Sequence, residues 1–266
     1  MTSGPKLSWR QLAARVSQSR WLSPLLLVLL WEACVRIGWV PRSTLEAPSA
    51  VLQTMWRLIA SGELPHSLWV SFQRMGAGLL IGSALGIAFG LAAGLSRRSQ
   101  VLLDPPLQML RTLPTLALLP LFIVWFGIGE TPKIALIAFG TMFPIYLNLY
   151  NGILGVDVRL LDMARSFGLN QRQLIVHVVL PGALPSLLVG LRYALSVSVL
   201  VLVVAEQINA TAGIGYLVNR ARDFMRTDVI VVCLIVYAAL GLAVDGLVRW
   251  IERRALAWRP QWIKTS

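Results

Sequence analysis

The side chains of this sequence with the greatest chemical potential are a few polar groups placed inside long apolar stretches. Arg74, Arg192 and Glu206 are ionisable, and Asn148 and Ser196 are neutral but polar. An ionisable group is costly inside a membrane and is therefore a functional candidate by default. Two alternatives stay open for the arginines: they assist the passage of an anion, or each pairs with an acid or extends to an interface.

The remaining reactive residue types do not form a catalytic or metal-binding pattern. His66 and His177 have no second ligand at the spacing of a metal site, and both are predicted to be structural. Cys34 and Cys233 lie far apart in apolar runs, which is typical of buried free thiols. No G-x-x-x-x-G-K-[ST] segment is present, so we expect no ATP site of that kind and no cofactor in this chain.

The composition places the chain in a membrane. Of 266 residues, 56% are hydrophobic and 14% are charged, where about 25% charged is usual. These values exclude an ordinary soluble enzyme and a disordered chain. The net charge of +12 does not indicate nucleic acid, because the basic residues mostly lie between apolar segments.

Six apolar segments are long enough to cross a bilayer as helices, since about 20 apolar residues span the hydrocarbon. The sequence therefore predicts an all-α, polytopic membrane protein. The distribution of Lys and Arg between the spans favours an N-terminus and a C-terminus in the cytoplasm. The predicted spans are Trp21–Trp39, Leu68–Leu95, Leu107–Phe126, Ile134–Leu154, Leu184–Ala205 and Val229–Val248.

Three regions follow from these spans. Residues 1–66 are predicted to hold a cytoplasmic tail, the first span and an outer segment. Residues 67–250 form the core with spans two to six, and residues 251–266 form a cytoplasmic tail.

Two spans carry special residues. Span two has a glycine at every fourth position, which predicts a ridge that packs against another helix: Gly78, Gly82, Gly86, Gly90 and Gly94. Span three holds Pro114 and Pro120 after Pro105 and Pro106. Prolines disturb helical turns, so this span is either a kinked packing helix or the lining of a pathway.

The segment 155–181 is the longest polar stretch between spans and is predicted to face the cytoplasm. A helix from Val158 to Phe167, ended by Gly168, fits its pattern. Asn170 is placed to cap a second helix from Gln171 to about Val179, and Pro181 is expected to break the chain before span five. Two short helices here form either a docking surface or an ordinary interfacial loop.

At this segment the sequence resembles the Glu-Ala-Ala loop of binding-protein-dependent ABC importer permeases, whose pattern is E-A-A-x3-G-x9-I-x-L-P. The matching residues are Asp162-Met163-Ala164-x3-Gly168-x9-Val178-x-Leu180-Pro181, with Asp for Glu, Met for the first Ala and Val for Ile. The resemblance extends from about Pro48 to Trp258. LDPPLQMLRTLP, LPGALPSLLVGLRYAL and INATAGIGYL resemble the sulfonate, taurine and nitrate branch, and MARSFGL resembles its aliphatic sulfonate permeases.

The resemblance implies the type I ABC importer permease fold in a bacterial inner membrane. It implies a homodimer, two cytoplasmic ATPase subunits that bind ATP and Mg, and a periplasmic or lipid-anchored substrate-binding protein. The loop would hold a coupling helix that contacts the ATPase through Asp162, Met163, Ala164, Arg165, Ser166, Phe167, Gly168 and Leu169. The expected function is import of small organic anions, with aliphatic sulfonates as the first candidate and taurine, nitrate or another small substrate as alternatives.

Two alternatives of other classes have less support in the sequence. An ion-coupled secondary transporter places carboxylates near the membrane midplane, whereas Glu130, Glu206 and Asp245 fall at the edges of predicted spans. A membrane enzyme would need a cluster of His, Asp, Glu or Cys at one membrane level. No such cluster stands out in the sequence.

Overall fold

The structure, a computed structural model, describes residues 22–41 and 44–255, and every regular element in this part of the chain is a helix. The predicted first residue of span one, Trp21, and the ends of both predicted tails lie outside the described residues. The helices are α1 (Leu22–Ile37), α2 (Pro48–Ala60), α3 (Glu63–Leu95), α4 (Arg97–Thr112), α5 (Leu119–Phe126), α6 (Thr131–Leu154), α7 (Val158–Ser166), α8 (Gln171–Leu174), α9 (Leu180–Gln207), α10 (Ile214–Asp223) and α11 (Thr227–Ala255).

Four continuous helices among the described residues are long and apolar enough to cross a bilayer. They are α3, α6, α11 and the 37-residue helix Gln171–Gln207 that contains α8 and α9. A fifth candidate consists of α4 and the segment Thr115–Phe126, which are bent by 88°. The described part of α1 has 16 residues, fewer than the roughly 20 that a perpendicular span needs. The described helices thus support four to five spans, and the predicted number of six is not established.

The prediction of one helix over Leu107–Phe126 is wrong. Helix α4 begins at Arg97 and ends at Thr112, and a short 3-10 helix from Thr115 to Leu118 leads into α5. Leu113 is extended, with φ −66° and ψ 133°, because the ring of Pro114 disfavours a helical conformation in the residue before it. Pro105 and Pro106 do not end α4. The bend at Pro114 therefore divides the third predicted span into two arms.

Two amphipathic helices were not predicted, although their periodicity is visible in the sequence. Helix α2 begins with Pro48 at its first turn and buries Val51, Thr54 and Leu58. Helix α10 buries Ile214, Leu217 and Ala221, which recur at helical spacing. These faces join α3 and α11 in one apolar core, so both helices stabilise the ends of longer helices.

Helix α6 lies at the centre, between α3 and α9. The glycines of α3 face it at every turn: a Cβ added to Gly78 would lie 2.6 Å from Cβ of Ile137. At Gly94 the added atom would lie 2.7 Å from Cδ1 of Ile153. Gly152 and Gly190 provide the same close approach between α6 and α9. Both contacts depend on positions without a side chain, which is how helices in lipid gain van der Waals contact.

Helix α4 is held against the same central helix by polar side chains. Tyr146 donates a hydrogen bond of 2.6 Å to Asp104, and the Gln100 amide donates one of 2.5 Å to the hydroxyl of Tyr150. The two tyrosines are stacked, with ring centroids 5.8 Å apart. These contacts fix the position of α4 ahead of the bend at Pro114.

We predict that Gly86→Leu disrupts the contact between α3 and α6. A Cβ at this position would lie 2.6 Å from the carbonyl oxygen of Met142 and 2.9 Å from Cβ of Ile145. Overpacking of this kind costs about 1–3 kcal/mol or more, so the melting temperature in detergent should fall. Gly76→Leu is the matched control, because no atom lies within 4 Å of a Cβ on Gly76 in the same helix. Equal melting temperatures of the two variants would contradict the packing role.

Candidate functional site

The segment 155–181 begins with a helix whose two ends are both capped. Asp157 accepts a hydrogen bond of 2.8 Å from the backbone N–H of Arg159 at the start of α7. At the other end the N–H of Gly168 donates to Arg165 at 2.9 Å, and that of Leu169 donates to Ala164 at 3.2 Å. This pair of bonds is a Schellman motif, which needs a left-handed residue, and Gly168 has φ +82°. The predicted end of the helix at Gly168 is confirmed.

A capping box starts the second helix of the segment. The Asn170 side chain accepts from the N–H of Gln173 at 2.9 Å, and the Gln173 side chain accepts from the N–H of Asn170 at 3.0 Å. The predicted cap is confirmed. The predicted break at Pro181 is wrong, since the helix continues to Gln207. Pro181 occupies the first turn of α9 after the π-helical residues Ile175–Val179, where a missing N–H is tolerated.

Six of the eight residues predicted to contact an ATPase are exposed, namely Asp162, Met163, Arg165, Ser166, Phe167 and Gly168. Ala164 is buried and Leu169 is half-buried, so these two support the helix from beneath. Phe167 is 77% exposed and Met163 is 53% exposed. Large apolar side chains that are exposed side by side on a polar segment are typical of a surface that contacts a partner. Leu161 packs into the cluster formed by α6 and α9, which anchors this surface to the core.

A second site is a polar cluster, which we define as Ser71, Arg74, Glu130, Lys133 and Glu206. Arg74 is 3% exposed and forms a bidentate ion pair with Glu130, in which Nη2 donates to Oε1 at 2.8 Å and Nε donates to Oε2. Its Nη1 also donates to Glu206 Oε1 and to the carbonyl oxygen of Ala212, each at 2.7 Å. One guanidinium therefore joins α3, the start of α6 and the end of α9.

Glu206 is fully buried and has partners from three other elements, α3, α10 and, through the Tyr237 hydroxyl at 3.5 Å, α11. Ser71 Oγ lies 2.7 and 2.8 Å from its two oxygens, and the N–H of Gly215 donates to Oε2 at 3.0 Å. A Cβ on Gly213, which has φ +110°, would lie 2.5 Å from Oε1 of Glu206. The backbone just before and at the start of α10 can lie this close to the Glu206 carboxylate because Gly213 and Gly215 have no side chains.

The buried Lys133 and the half-exposed Glu130 complete the cluster. Lys133 Nζ donates to the carbonyl oxygens of Gly129 and Asn209 at 3.0 and 3.3 Å and lies 3.3 Å from Glu130. The hydrogen bonds from Arg74 hold the pKa of the Glu130 carboxyl below its usual value. A lowered carboxyl pKa adds stability at neutral pH, and this contribution is lost as the pH falls through the lowered pKa.

The polar cluster and the chain around Glu206 contain residues that were not predicted as site residues. Glu130 and Lys133 are spaced i,i+3 at the start of a span, and Gly213 and Gly215 recur at i,i+2 in INATAGIGYL. These were the available signals, but neither indicates a partner on another helix. Two carboxylates and two cations balance in charge, so the cluster can tie helix ends together without a net charge in the membrane.

The other predicted pathway residues lie away from the polar cluster. Arg192 on α9 lies 3.6 Å from Asp245 and 3.8 Å from Glu252, both on α11. Ser196 is exposed and donates to the carbonyl oxygen of Arg192 at 3.2 Å. Asn148 donates to the carbonyl oxygen of Pro144 at 2.8 Å, and Gly190 approaches its Cβ closely. The structure thus brings Arg74 together with Glu206, and Arg192 together with Ser196. Within the described part of the chain, no group of three His, Cys, Asp or Glu residues is placed to hold a metal ion.

Comparison with known proteins gives a family match over most of the chain. Residues 82–256 match the model of the binding-protein-dependent transport system inner membrane component family. A relative from Escherichia coli (strain K12), named as an aliphatic sulfonates transport permease protein (SsuC), is 48% identical over 90% of this chain and 91% of its own. Its namesake from Bacillus subtilis (strain 168) is 43% identical over 90% and 86%. The taurine transport system permease protein TauC of Escherichia coli (strain K12) is 34% identical over 96% and 95%.

The fold is also similar to that of a solved transporter. A structure of the MetNI methionine ABC transporter in inward-facing conformations matches with a TM-score of 0.58 and 20% identity. The match covers 75% of this chain and 98% of the other. At this identity the likeness shows the fold, and it agrees with the arrangement of helices around α6.

We predict that breaking the buried ion pair costs much more than breaking an exposed one. Arg74→Ala and Glu206→Ala should each lower the free energy of unfolding by about 3–5 kcal/mol, because each leaves a buried charge without its partner. The double variant should cost less than the sum of the two. Unfolding in mixed detergent micelles measures all three.

The control is Arg165→Ala, whose ion pair with Asp162 has side chains 58% and 64% exposed. Its cost should be at most about 1 kcal/mol. If the two buried variants were no less stable than this control, the cluster would not tie the helix ends together.

Proposed function

Since the chain belongs to the family of binding-protein-dependent transport system inner membrane components, we propose that it imports aliphatic sulfonates as part of an ATP-driven transporter. The permease role itself follows from the family and from two relatives of more than 40% identity. The chain is a permease component of an ABC importer in the inner membrane, which is a non-catalytic transport component. Because the chain belongs to this family, the two alternatives, an ion-coupled secondary transporter and a membrane enzyme, are set aside.

The proposed assembly contains two copies of this chain, two cytoplasmic ATPase subunits and a periplasmic or lipid-anchored binding protein. The binding protein is supported by the family description, which refers to binding-protein-dependent transport. The two ATPase subunits bind ATP and Mg and supply the energy. Their role is supported by the lack of a G-x-x-x-x-G-K-[ST] segment in this sequence.

The observation that carries the ATPase contact is the exposed, doubly capped helix α7. Phe167 and Met163 are large apolar side chains that lie exposed on the polar segment between two membrane-spanning helices. The Schellman motif at Gly168 fixes the end of the helix, so a partner bound there would displace a rigid element. We assign the ATPase contact to Asp162, Met163, Arg165, Ser166, Phe167 and Gly168, with Ala164 and Leu169 beneath them.

This assignment sets the orientation of the chain. The segment 155–181 then faces the cytoplasm, and the polar cluster lies toward the outside. With α6 and α9 on either side of that segment, α11 returns the C-terminus to the cytoplasm. A cytoplasmic N-terminus further requires α1 to cross the membrane as the first of six spans. The excess of Lys and Arg on the same side supports this orientation.

The substrate proposal rests on the 48% identity to the aliphatic sulfonate permease. Taurine is the second candidate, because the taurine permease matches over 96% of this chain. Both candidate substrates contain a sulfonate group, so the proposal commits to the import of a sulfonate. The placement of Arg192, Ser196 and Asn148 along the translocation pathway stays a prediction.

We predict that Gly168→Val leaves the chain in the membrane and weakens its association with the ATPase. A β-branched residue at φ +82° costs about 1–2 kcal/mol in strain, which corresponds to a roughly 5–30-fold weaker contact. No atom lies within 4 Å of an added Cβ, so the effect comes from the backbone and not from a clash. Co-purification of the ATPase and substrate-stimulated ATP hydrolysis measure it.

Two control variants distinguish backbone strain at the end of α7 from backbone strain elsewhere in the chain. Gly168→Asn should retain the contact, because asparagine tolerates the left-handed conformation. Gly38→Val introduces a similar strain, at φ +86°, far from the segment and should not affect the ATPase. Normal transport by Gly168→Val would contradict the assignment.

We also predict that selectivity for the sulfonate lies in the binding protein. A tight anion site needs several convergent donors, whereas Arg74 and Arg192 are each already paired with two carboxylates. Calorimetry should therefore detect no binding of ethanesulfonate to the isolated permease at micromolar concentration. Vesicles with the complete transporter should accumulate labelled alkanesulfonates. Micromolar binding that is lost in Arg74→Ala or Arg192→Ala would show that this chain has its own specificity site.

A further inference from the structure

A cavity of about 430 Å³ lies where α2, α3, α10 and α11 meet. Its apolar lining consists of Leu58, Leu217, Ala221 and Val229, all of them buried side chains. This volume is in the range of small-ligand sites. The cavity is separate from the polar cluster and from the segment 155–181, since it shares no lining residue with either.

Two arginines and one aromatic ring form the rim of this cavity. Arg220 Nη1 donates to Glu63 Oε1 at 2.7 Å, and Arg226 Nη2 donates to Asp228 Oδ2 at 2.9 Å. Each guanidinium has five N–H donors, so one carboxylate bond leaves donors for another acceptor. The carboxylates hold the two guanidinium groups at the rim, which lowers the entropy cost of binding an anion there.

The surroundings of the cavity indicate a position level with the lipid headgroups. Trp56 lies on α2 two residues before Leu58 and is 71% exposed, and Trp69 on α3 is 58% exposed. Tryptophan is enriched where a membrane meets water. Phe224, at the rim, is 71% exposed and adds an apolar edge to the opening. A ligand here would find hydrocarbon-like walls together with guanidinium N–H donors at the rim.

We propose that this cavity binds an amphipathic anion, with its alkyl tail among Leu58, Leu217 and Val229 and its acidic headgroup between Arg220 and Arg226. The headgroup chemistry is a single oxyanion such as a phosphate or a sulfonate, which guanidinium groups recognise through paired hydrogen bonds. The ligand comes either from an anionic phospholipid of the adjacent leaflet or from a free alkyl sulfonate. The proposal does not depend on the transported substrate, because neither arginine belongs to the predicted pathway.

The experiment uses the full-length chain in nanodiscs of phosphatidylcholine. Phosphatidylglycerol in the disc tests the lipid source, and added decanesulfonate tests the free source. Ethanesulfonate and decanol are the matched probes, since the first lacks the tail and the second lacks the charge. We expect the melting temperature to rise saturably with at least one amphipathic anion and with neither matched probe.

Variants then locate the effect. Arg220→Gln combined with Arg226→Gln should weaken binding about tenfold or more, because both charged donors are lost. Arg222→Gln is the control, an exposed arginine of α10 that does not line the cavity. Glu63→Gln should strengthen binding, because the glutamine oxygen can still accept the bond that positions Arg220 while the competing negative charge is removed.

The pattern of results decides between the sources and can overturn the proposal. A response to phosphatidylglycerol alone assigns the cavity to a lipid, and a response to decanesulfonate alone assigns it to a free alkyl anion. The proposal is overturned if neither anion raises the melting temperature, or if decanol acts equally well. It is also overturned if the double variant and Arg222→Gln respond like the unaltered chain.

Discussion

Two helix backbones approach closely in lipid only where side chains do not separate them, and the arrangement of this protein depends on that constraint. There is little hydrophobic gain when apolar helices meet in a bilayer, so van der Waals contact must hold them. Helix α3 meets α6 along Gly78, Gly82, Gly86, Gly90 and Gly94, and α6 meets α9 at Gly152 and Gly190. Because α6 takes part in both contacts, its position fixes the other two helices.

The charged groups are distributed in a way that this close packing permits. Arg74 and Glu206 neutralise one another at one end of the packed helices, and Arg192 faces Asp245 and Glu252 elsewhere on α9. Neither arginine is left as an uncompensated charge. An anion that moved along these helices would thus meet neutralised groups, which suits a permease that passes substrate without holding it. This pairing of the arginines agrees with the proposal that a separate binding protein recognises the substrate.

The sequence predicted those features that depend on local patterns. The glycine period on α3, the left-handed turn at Gly168 and the cap at Asn170 each follow from neighbouring residues, and the structure contains all three elements. Features that depend on distant partners were missed or misjudged. Pro181 has the same local signal as Pro114, but the chain bends at Pro114 and continues as a helix through Pro181. Likewise, nothing near Arg74 in the sequence indicates Glu130 or Glu206, which lie 56 and 132 positions away.

One helix connects the two sites that these patterns describe. It runs from Gln171, beside the Asn170 cap, to Gln207, next to Glu206, and its 37 residues extend about 55 Å at 1.5 Å per residue. A displacement of α7 by a bound partner is therefore carried toward the polar cluster, apart from what the π-helical turn Ile175–Val179 absorbs. Glu206 is bonded to Ser71, Arg74 and Gly215, so its end of the helix resists movement. With one end displaced and the other held, the helix must tilt about the polar cluster. The residues near Gln171 then move the most, whereas Arg192 and Ser196, which lie 14 and 10 positions from Glu206, move by a smaller part of that displacement.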